Sequence, residues 1–218
     1  MKTGNRTRCI EWAVLIAAVA LANLSLLNGE PAHHLIFLPA AVAGGEWWRI
    51  VTHPFAHVTP YHLALDAAAF FILYYGLTEH SMPRRMIYVV GAGAGSLLAS
   101  LVAAPQVTAI GLCGLSGIAH GIMAISAIEF LVAERSSASR TPTIIAGACL
   151  VLVVGKSVVE ALTGSVVFSS MHAGNIGTPI AVCHAGGVLG ALLAYVATRA
   201  RDLESRTIST AGFAPASI

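Results

Sequence analysis

The sequence predicts an all-α membrane protein: a bundle of six transmembrane helices with both termini in the cytoplasm. Three observations lead there. Hydrophobic residues make up 56% of the 218-residue chain and charged residues 10%, with a mean hydropathy of +0.79, a balance that a surface in water cannot accommodate. Six apolar stretches, 10–27, 61–79, 86–104, 115–133, 143–162 and 180–198, each come close to the roughly 20 residues that cross a hydrocarbon core of about 30 Å. Lipid cannot hydrogen-bond a bare backbone, so spans must be helices or a closed barrel, and these stretches lack the roughly ten-residue alternating pattern of barrel strands.

Taken in order, residues 1–9 form a short cytoplasmic segment carrying Lys2, Arg6 and Arg8, because Lys and Arg beside a span are retained inside. The stretch 10–27 resembles a signal peptide, yet no small-x-small cleavage site precedes Asn28-Gly29-Glu30, so it reads as an uncleaved anchor. Outer loop 28–60 is too long for a simple turn, and long ordered loops are commonly functional. Its Trp47 and Trp48 suit the headgroup zone, where an indole buries its ring while its N–H stays wet. Span 61–79 returns to Arg84 and Arg85, span 86–104 goes out, and span 115–133 comes back to Arg135 and Arg140. Span 143–162 holds Lys156 and Glu160, spaced i,i+4 as a charge couple. Outer loop 164–179, with its Gly and Ser residues, suits a movable cover. Span 180–198 then descends to Arg199, Arg201 and Arg206 and a polar tail, 199–218, expected to be cytoplasmic and disordered. Of the 12 Lys and Arg, only Arg49 and Lys156 lie off the inner side. Residues 10–198 thus form one helical domain.

The net charge of +2 says nothing about nucleic acid, because the cations sit where topology requires them, and no nucleic-acid partner is expected. Four cysteines do not make a disulfide framework in a bundle of this length. Cys9 and Cys149 read as buried thiols. Cys113 and Cys183 lie beside the polar residues discussed next, and their plain reading is small apolar filler.

Polar groups carry the functional signal, since burying one in hydrocarbon without a partner costs several kcal/mol. Spans two, four and six all run from outside to inside. His62 and Asp66 begin span two, Ser116 and His120 begin span four, and His184 begins span six, so three sequence-distant helices bring these groups to one depth. A serine hydroxyl is a poor nucleophile at neutral pH until an imidazole accepts its proton, and the imidazole can then protonate a leaving amine. Ser116 and His184 suit those roles. A tetrahedral oxyanion needs preorganised donors, which a serine at a helix start supplies through its backbone N–H, with His62 as a side-chain donor. Gly117 and Gly121 in span four, and Gly187 and Gly190 in span six, permit the close helix approach that a Ser–His hydrogen bond requires.

These residues resemble the rhomboid family of intramembrane serine proteases. The matching pieces are Gly45-Glu46-Trp47-Trp48-Arg49, then His57 and His62 with Asp66, then Gly114-Leu115-Ser116-Gly117, then His184-Ala185-Gly186-Gly187. The resemblance covers residues 10–198 and implies a six-helix rhomboid-like bundle. It implies Ser116 as nucleophile and His184 as base with no third acid required, His62 in the oxyanion hole, and Asp66, Gly114 and Gly117 as its supports. Loop 28–60 is then the family's membrane-embedded outer loop, stabilised around Trp48 and Arg49 with His57, and loop 164–179 is the cap. The implied partners are the lipid bilayer and membrane protein substrates with a transmembrane segment. The implied location is a bacterial inner membrane, with the site opening to the outer face, and no metal or organic cofactor. The run Ser116 to Gly121 is also similar to rhombosortases, a subgroup that implies processing of C-terminal sorting tails. One residue departs from the pattern: Asp66 stands where most of the family has Asn. An ionised carboxylate would repel an oxyanion, so Asp66 is expected either to be protonated by burial or to orient His62.

Plainer readings stand beside these. His120 reads as a packed, hydrogen-bonded histidine one helical turn past Ser116. His33, His34 and His172 read as solvated loop residues, and His53 and His57 as braces of the long loop. Glu129 has no partner nameable from the sequence. Two other function classes fit part of the pattern. One is a catalytically inactive rhomboid-like protein that binds transmembrane helices, to which Asp66 is the only pointer. The other is a metal transporter or sensor built on the nine histidines, of which only His53 and His57 have a tight spacing.

Overall fold

The computed structural model describes residues 2–133 and 140–211, with side chains described over 8–133 and 140–202. Arg135 and residues 212–218 lie outside the described residues. Six long helices dominate: α1 Lys2–Ala22, α4 Pro60–Gly76, α5 Met82–Ala103, α7 Ser116–Ala133, α8 Thr141–Thr163 and α9 Val182–Ala211. Three short ones, α2 Pro39–Ala43, α3 Arg49–Thr52 and α6 Val107–Ile110, lie in the connections. Among the described residues, five of the long helices have the length and apolarity to cross a membrane, whereas α4 has 17 residues and ends at Gly76, short of the end of the stretch expected at 61–79. It stops at Gly76 because Leu77 is extended, and the Thr78 N–H and hydroxyl beyond it bond the carboxylate of Glu129 at 2.7 and 3.0 Å. Glu129 therefore has the partner that the sequence did not name.

The ends of these helices follow local chemistry. Thr59 caps α4, its hydroxyl accepting the His62 N–H at 3.0 Å, and Pro60 occupies the first turn, where its missing N–H is not needed. Proline also opens α5 and α8, and α8 closes on Gly164 in the left-handed conformation at φ 68°. Helix α9 runs on to Ala211, so residues 199–211 of the expected tail are helical.

Small residues let the helices approach to backbone distance. The most extensive pairing is α5 with α9, where a Cβ on Gly190 would lie 3.0 Å from the Cα of Gly95 and one on Gly91 would lie 2.8 Å from the Gly190 carbonyl. Gly190 therefore serves α5, while Gly187 meets α7. The core gathers Leu15, Phe70, Tyr74, Tyr88, Leu115, Ile122 and Ile125 between α1, α4, α5 and α7. On the outside, Ile72, Val102, Val151 and Leu162 are exposed, an apolar rim that suits lipid. Arg85, one of the flanking cations, is buried and ion-paired with Glu11, which also accepts from the Tyr74 hydroxyl.

The long loop is ordered by one cation. Arg49 donates to the carbonyls of His33 and Ile36 at 2.6 and 2.7 Å and makes a forked pair with Glu46 at 2.8 and 2.6 Å. Trp48 adds a bond from its indole N–H to the His34 carbonyl at 3.1 Å.

Candidate active site

The starts of α4, α7 and α9 and the end of α8 meet at one end of the bundle. Ser116 is the first residue of α7, and the segment before it is held by the long loop. Phe37 and Leu112 exchange backbone hydrogen bonds at 3.0 and 2.9 Å, and the Gly114 N–H donates to the His53 carbonyl at 3.1 Å. Gly114 has φ 99°, and a Cβ there would lie 2.9 Å from His62 Nε2 and 2.7 Å from Asp66 Oδ2. Only glycine fits that position.

Ser116 Oγ lies 3.1 Å from Nε2 of His184. A Cβ on Gly187 would stand 2.6 Å from the carbonyl carbon of Gly117, and one on Gly121 would stand 2.6 Å from the Gly187 carbonyl oxygen, so α7 and α9 touch through their backbones one turn below the pair. Gly117 also has no room for a side chain, since a Cβ would lie 2.8 Å from that of Ser96. The expected role of these glycines in bringing the two helices together has this physical basis.

On its other side His184 meets a residue that sequence reasoning assigned elsewhere. Nδ1 of His184 is 2.6 Å from Oε2 of Glu160, which is fully buried. Glu160 Oε1 accepts from Lys156 at 2.7 Å and from the Val167 N–H at 2.8 Å. The expected Lys156–Glu160 couple exists, but it is half of a larger network. Lys156 Nζ is also 2.9 Å from His120 Nε2, and His120 Nδ1 is 2.7 Å from the Ser116 carbonyl oxygen. The two imidazoles, His120 and His184, stack with centroids 3.9 Å apart. No local pattern pointed from Glu160 to His184, 24 residues away on another helix.

Asp66 touches both Ser116 and His62. Its Oδ2 accepts the Ser116 backbone N–H at 3.0 Å, the donor expected to face an oxyanion. The same oxygen is 3.3 Å from His62 Nε2 and 3.5 Å from His57 Nε2. His57 is wholly buried and braces this corner, its backbone N–H donating to Asn23 Oδ1 at 2.9 Å. His53 is buried against Phe37, and loss of hydration pulls its pKa down to about 4.

An open cavity of 870 Å³ lies above the pair, bounded by Tyr61, His62, Ser116, His120, Lys156 and His184. Loop 164–179 covers one side. The Thr59 hydroxyl donates to the Asn175 carbonyl at 2.5 Å, the Ala173 N–H donates to the Tyr61 hydroxyl at 3.0 Å, and Gly174 packs against the Tyr61 ring. His172 borders the cavity beside Tyr61 rather than standing free in solvent. Cys183 is buried with its sulfur 3.8 Å from Ser116 Oγ, and burial pushes the Cys113 thiol up to about 12, which keeps it protonated and inert.

Among the described residues, two groups bring metal-ligand atoms within 4.8 Å of one another: His57, His62 and Asp66, and His120, Glu160 and His184. In the second, the Ser116, Lys156 and backbone bonds above already engage these atoms. Comparison with known proteins gives one family match. A family model described as the Rhomboid domain matches residues 44–201. No curated protein and no solved structure matches the chain.

Proposed function

The chain belongs to the rhomboid family, and from that premise we propose that it is an intramembrane serine endopeptidase that hydrolyses a peptide bond in or near the transmembrane segment of a membrane protein. One observation carries this reading: the 3.1 Å approach of His184 Nε2 to Ser116 Oγ beside an open cavity. The reaction proceeds in two steps. Ser116 Oγ bonds to the scissile carbonyl carbon as its proton passes to His184 Nε2. The tetrahedral intermediate then collapses, the C–N bond breaks, and His184 returns that proton to the leaving amine nitrogen. Water repeats the sequence on the acyl-enzyme: its proton goes to His184, its hydroxyl to the carbonyl carbon, and Ser116 Oγ leaves with the proton. His62, on the cavity wall, is the side-chain donor to the oxyanion. Asp66, Gly114 and Gly117 support that corner.

The bundle spans the membrane six times, with α4 as the short sixth span and both termini cytoplasmic. The cavity then opens to the outer face of a bacterial-type inner membrane, from which water reaches Ser116. The motif from Ser116 to Gly121 supports a rhombosortase-like role on substrates with a C-terminal sorting tail.

A second reading rests on Asp66. Because its carboxylate already holds the Ser116 N–H at 3.0 Å, an inactive rhomboid-like protein that binds transmembrane helices is the main rival. Reconstitution of the purified protein in liposomes with a membrane-anchored reporter separates the two. The protease reading expects cleavage by wild type and none by Ser116→Ala; equal product from both, or binding without cleavage, overturns it.

A further inference from the structure

His184 is engaged through both nitrogens of its ring, by Glu160 at Nδ1 and by Ser116 at Nε2. Glu160 Oε1 faces the Lys156 ammonium at 2.7 Å and the Val167 N–H at 2.8 Å, and both of these only donate. Oε2 faces His184 Nδ1 at 2.6 Å. A carboxylate in that position accepts, so Nδ1 carries the hydrogen. In the neutral ring Nε2 is then the bare nitrogen, and it is the one facing Ser116 Oγ.

His120 is fixed in the same way. Its Nδ1 faces the Ser116 carbonyl, which only accepts, and its Nε2 faces Lys156, which only donates. His120 is therefore a neutral ring of one tautomer, stacked on His184 with an interplanar angle of 11°. Lys156 clamps both, touching Glu160 and His120 at once.

We propose that Glu160 is a positioning residue that completes a Ser116–His184–Glu160 triad, with Lys156 and His120 holding it in register. This rests on the protease reading. Glu160 sets the tautomer that lets His184 accept the Ser116 proton, and its negative charge stabilises the imidazolium formed as that proton moves. The proton itself stays between Ser116, His184 and the leaving amine; the Nδ1 hydrogen remains on His184 throughout. The Lys156 charge balances that of Glu160 in the resting site.

The test compares kcat and KM for wild type, Ser116→Ala, Glu160→Gln, Glu160→Asp and Lys156→Met on the same membrane-anchored reporter. In Glu160→Gln the side-chain amide NH2 turns away from Lys156 and towards Nδ1, forcing the wrong tautomer. The expected result is a kcat loss of about 10²- to 10⁴-fold with KM within a few-fold of wild type, partly restored in Glu160→Asp. Unchanged kcat in Glu160→Gln, with Ser116→Ala inactive, overturns the triad and leaves the protease reading intact. An active Ser116→Ala overturns the protease reading instead. Should Glu160→Gln fail to fold, ¹⁵N spectra of histidine-labelled wild type decide, with the His184 signals assigned by their loss in His184→Gln. A hydrogen on Nδ1 supports the triad, and a bare Nδ1 contradicts it.

Discussion

Asp66 and Ser116 are joined by a hydrogen bond from the Ser116 backbone N–H to Asp66 Oδ2, 3.0 Å long, so a carboxylate holds the donor that would otherwise face a developing oxyanion. The same oxygen is 3.3 Å from His62 Nε2. Asn in place of Asp66 would keep an acceptor for Ser116 and add an N–H2 donor without negative charge. Asp66→Asn is expected to cleave the reporter at least as fast as wild type, and Asp66→Ala about tenfold more slowly, the equivalent of about 1.4 kcal/mol. Equal rates for all three proteins would remove Asp66 from the site.

The contact between α7 and α9 is a backbone contact and should tolerate no methyl group. Gly187→Ala places a carbon 2.6 Å from the Gly117 carbonyl carbon. It should destabilise the protein by about 1–3 kcal/mol and sharply lower activity. Gly155→Ala meets nothing within 4 Å and is the matched control. Thermal unfolding in detergent, read alongside cleavage, checks both.

Much of this site is legible in the sequence. Hydropathy and flanking charge bring His62, Asp66, Ser116, His120 and His184 to a common depth, and all five border one cavity. Glu160 could not be read in the same way. Depth depends on position along a helix, but pairing depends on rotation about the axis, and Lys156 at i,i+4 offered Glu160 a complete local explanation. Glu129–Thr78 and Glu11–Arg85 escaped for the same reason, their partners lying 51 and 74 residues away. Gly190 shows the limit again, since its spacing from Gly187 does not say that it faces α5.

Arg49 holds the outer loop through four hydrogen bonds to two carbonyls and one carboxylate. Arg49→Ala leaves the His33 and Ile36 carbonyls without that donor and should cost about 2–4 kcal/mol. Limited proteolysis should then cut within 28–60, where wild type resists. A wild-type cleavage pattern in Arg49→Ala would mean that the loop is held by other contacts.

His53 gives the loop a pH response. Burial lowers its pKa from 6.5 to about 4, so between those values the unfolded chain binds the proton that the folded chain refuses. The stabilisation is complete above about pH 6.5 and is lost as the pH falls towards 4, up to about 3 kcal/mol for this group. Melting temperatures measured across that window should fall with pH in wild type and fall less in His53→Gln. Parallel profiles would contradict the assignment.

The hydroxyl of Ser116 should react only because His184 takes its proton. The direct measurement is peptide mass spectrometry after exposure of the membrane-reconstituted protein to a fluorophosphonate. The expected result is a phosphonyl adduct on Ser116 in wild type, reduced at least about a hundredfold in His184→Ala. Equal labelling of Ser116 in both proteins, or an adduct elsewhere with Ser116 unmodified, would contradict the Ser116–His184 chemistry.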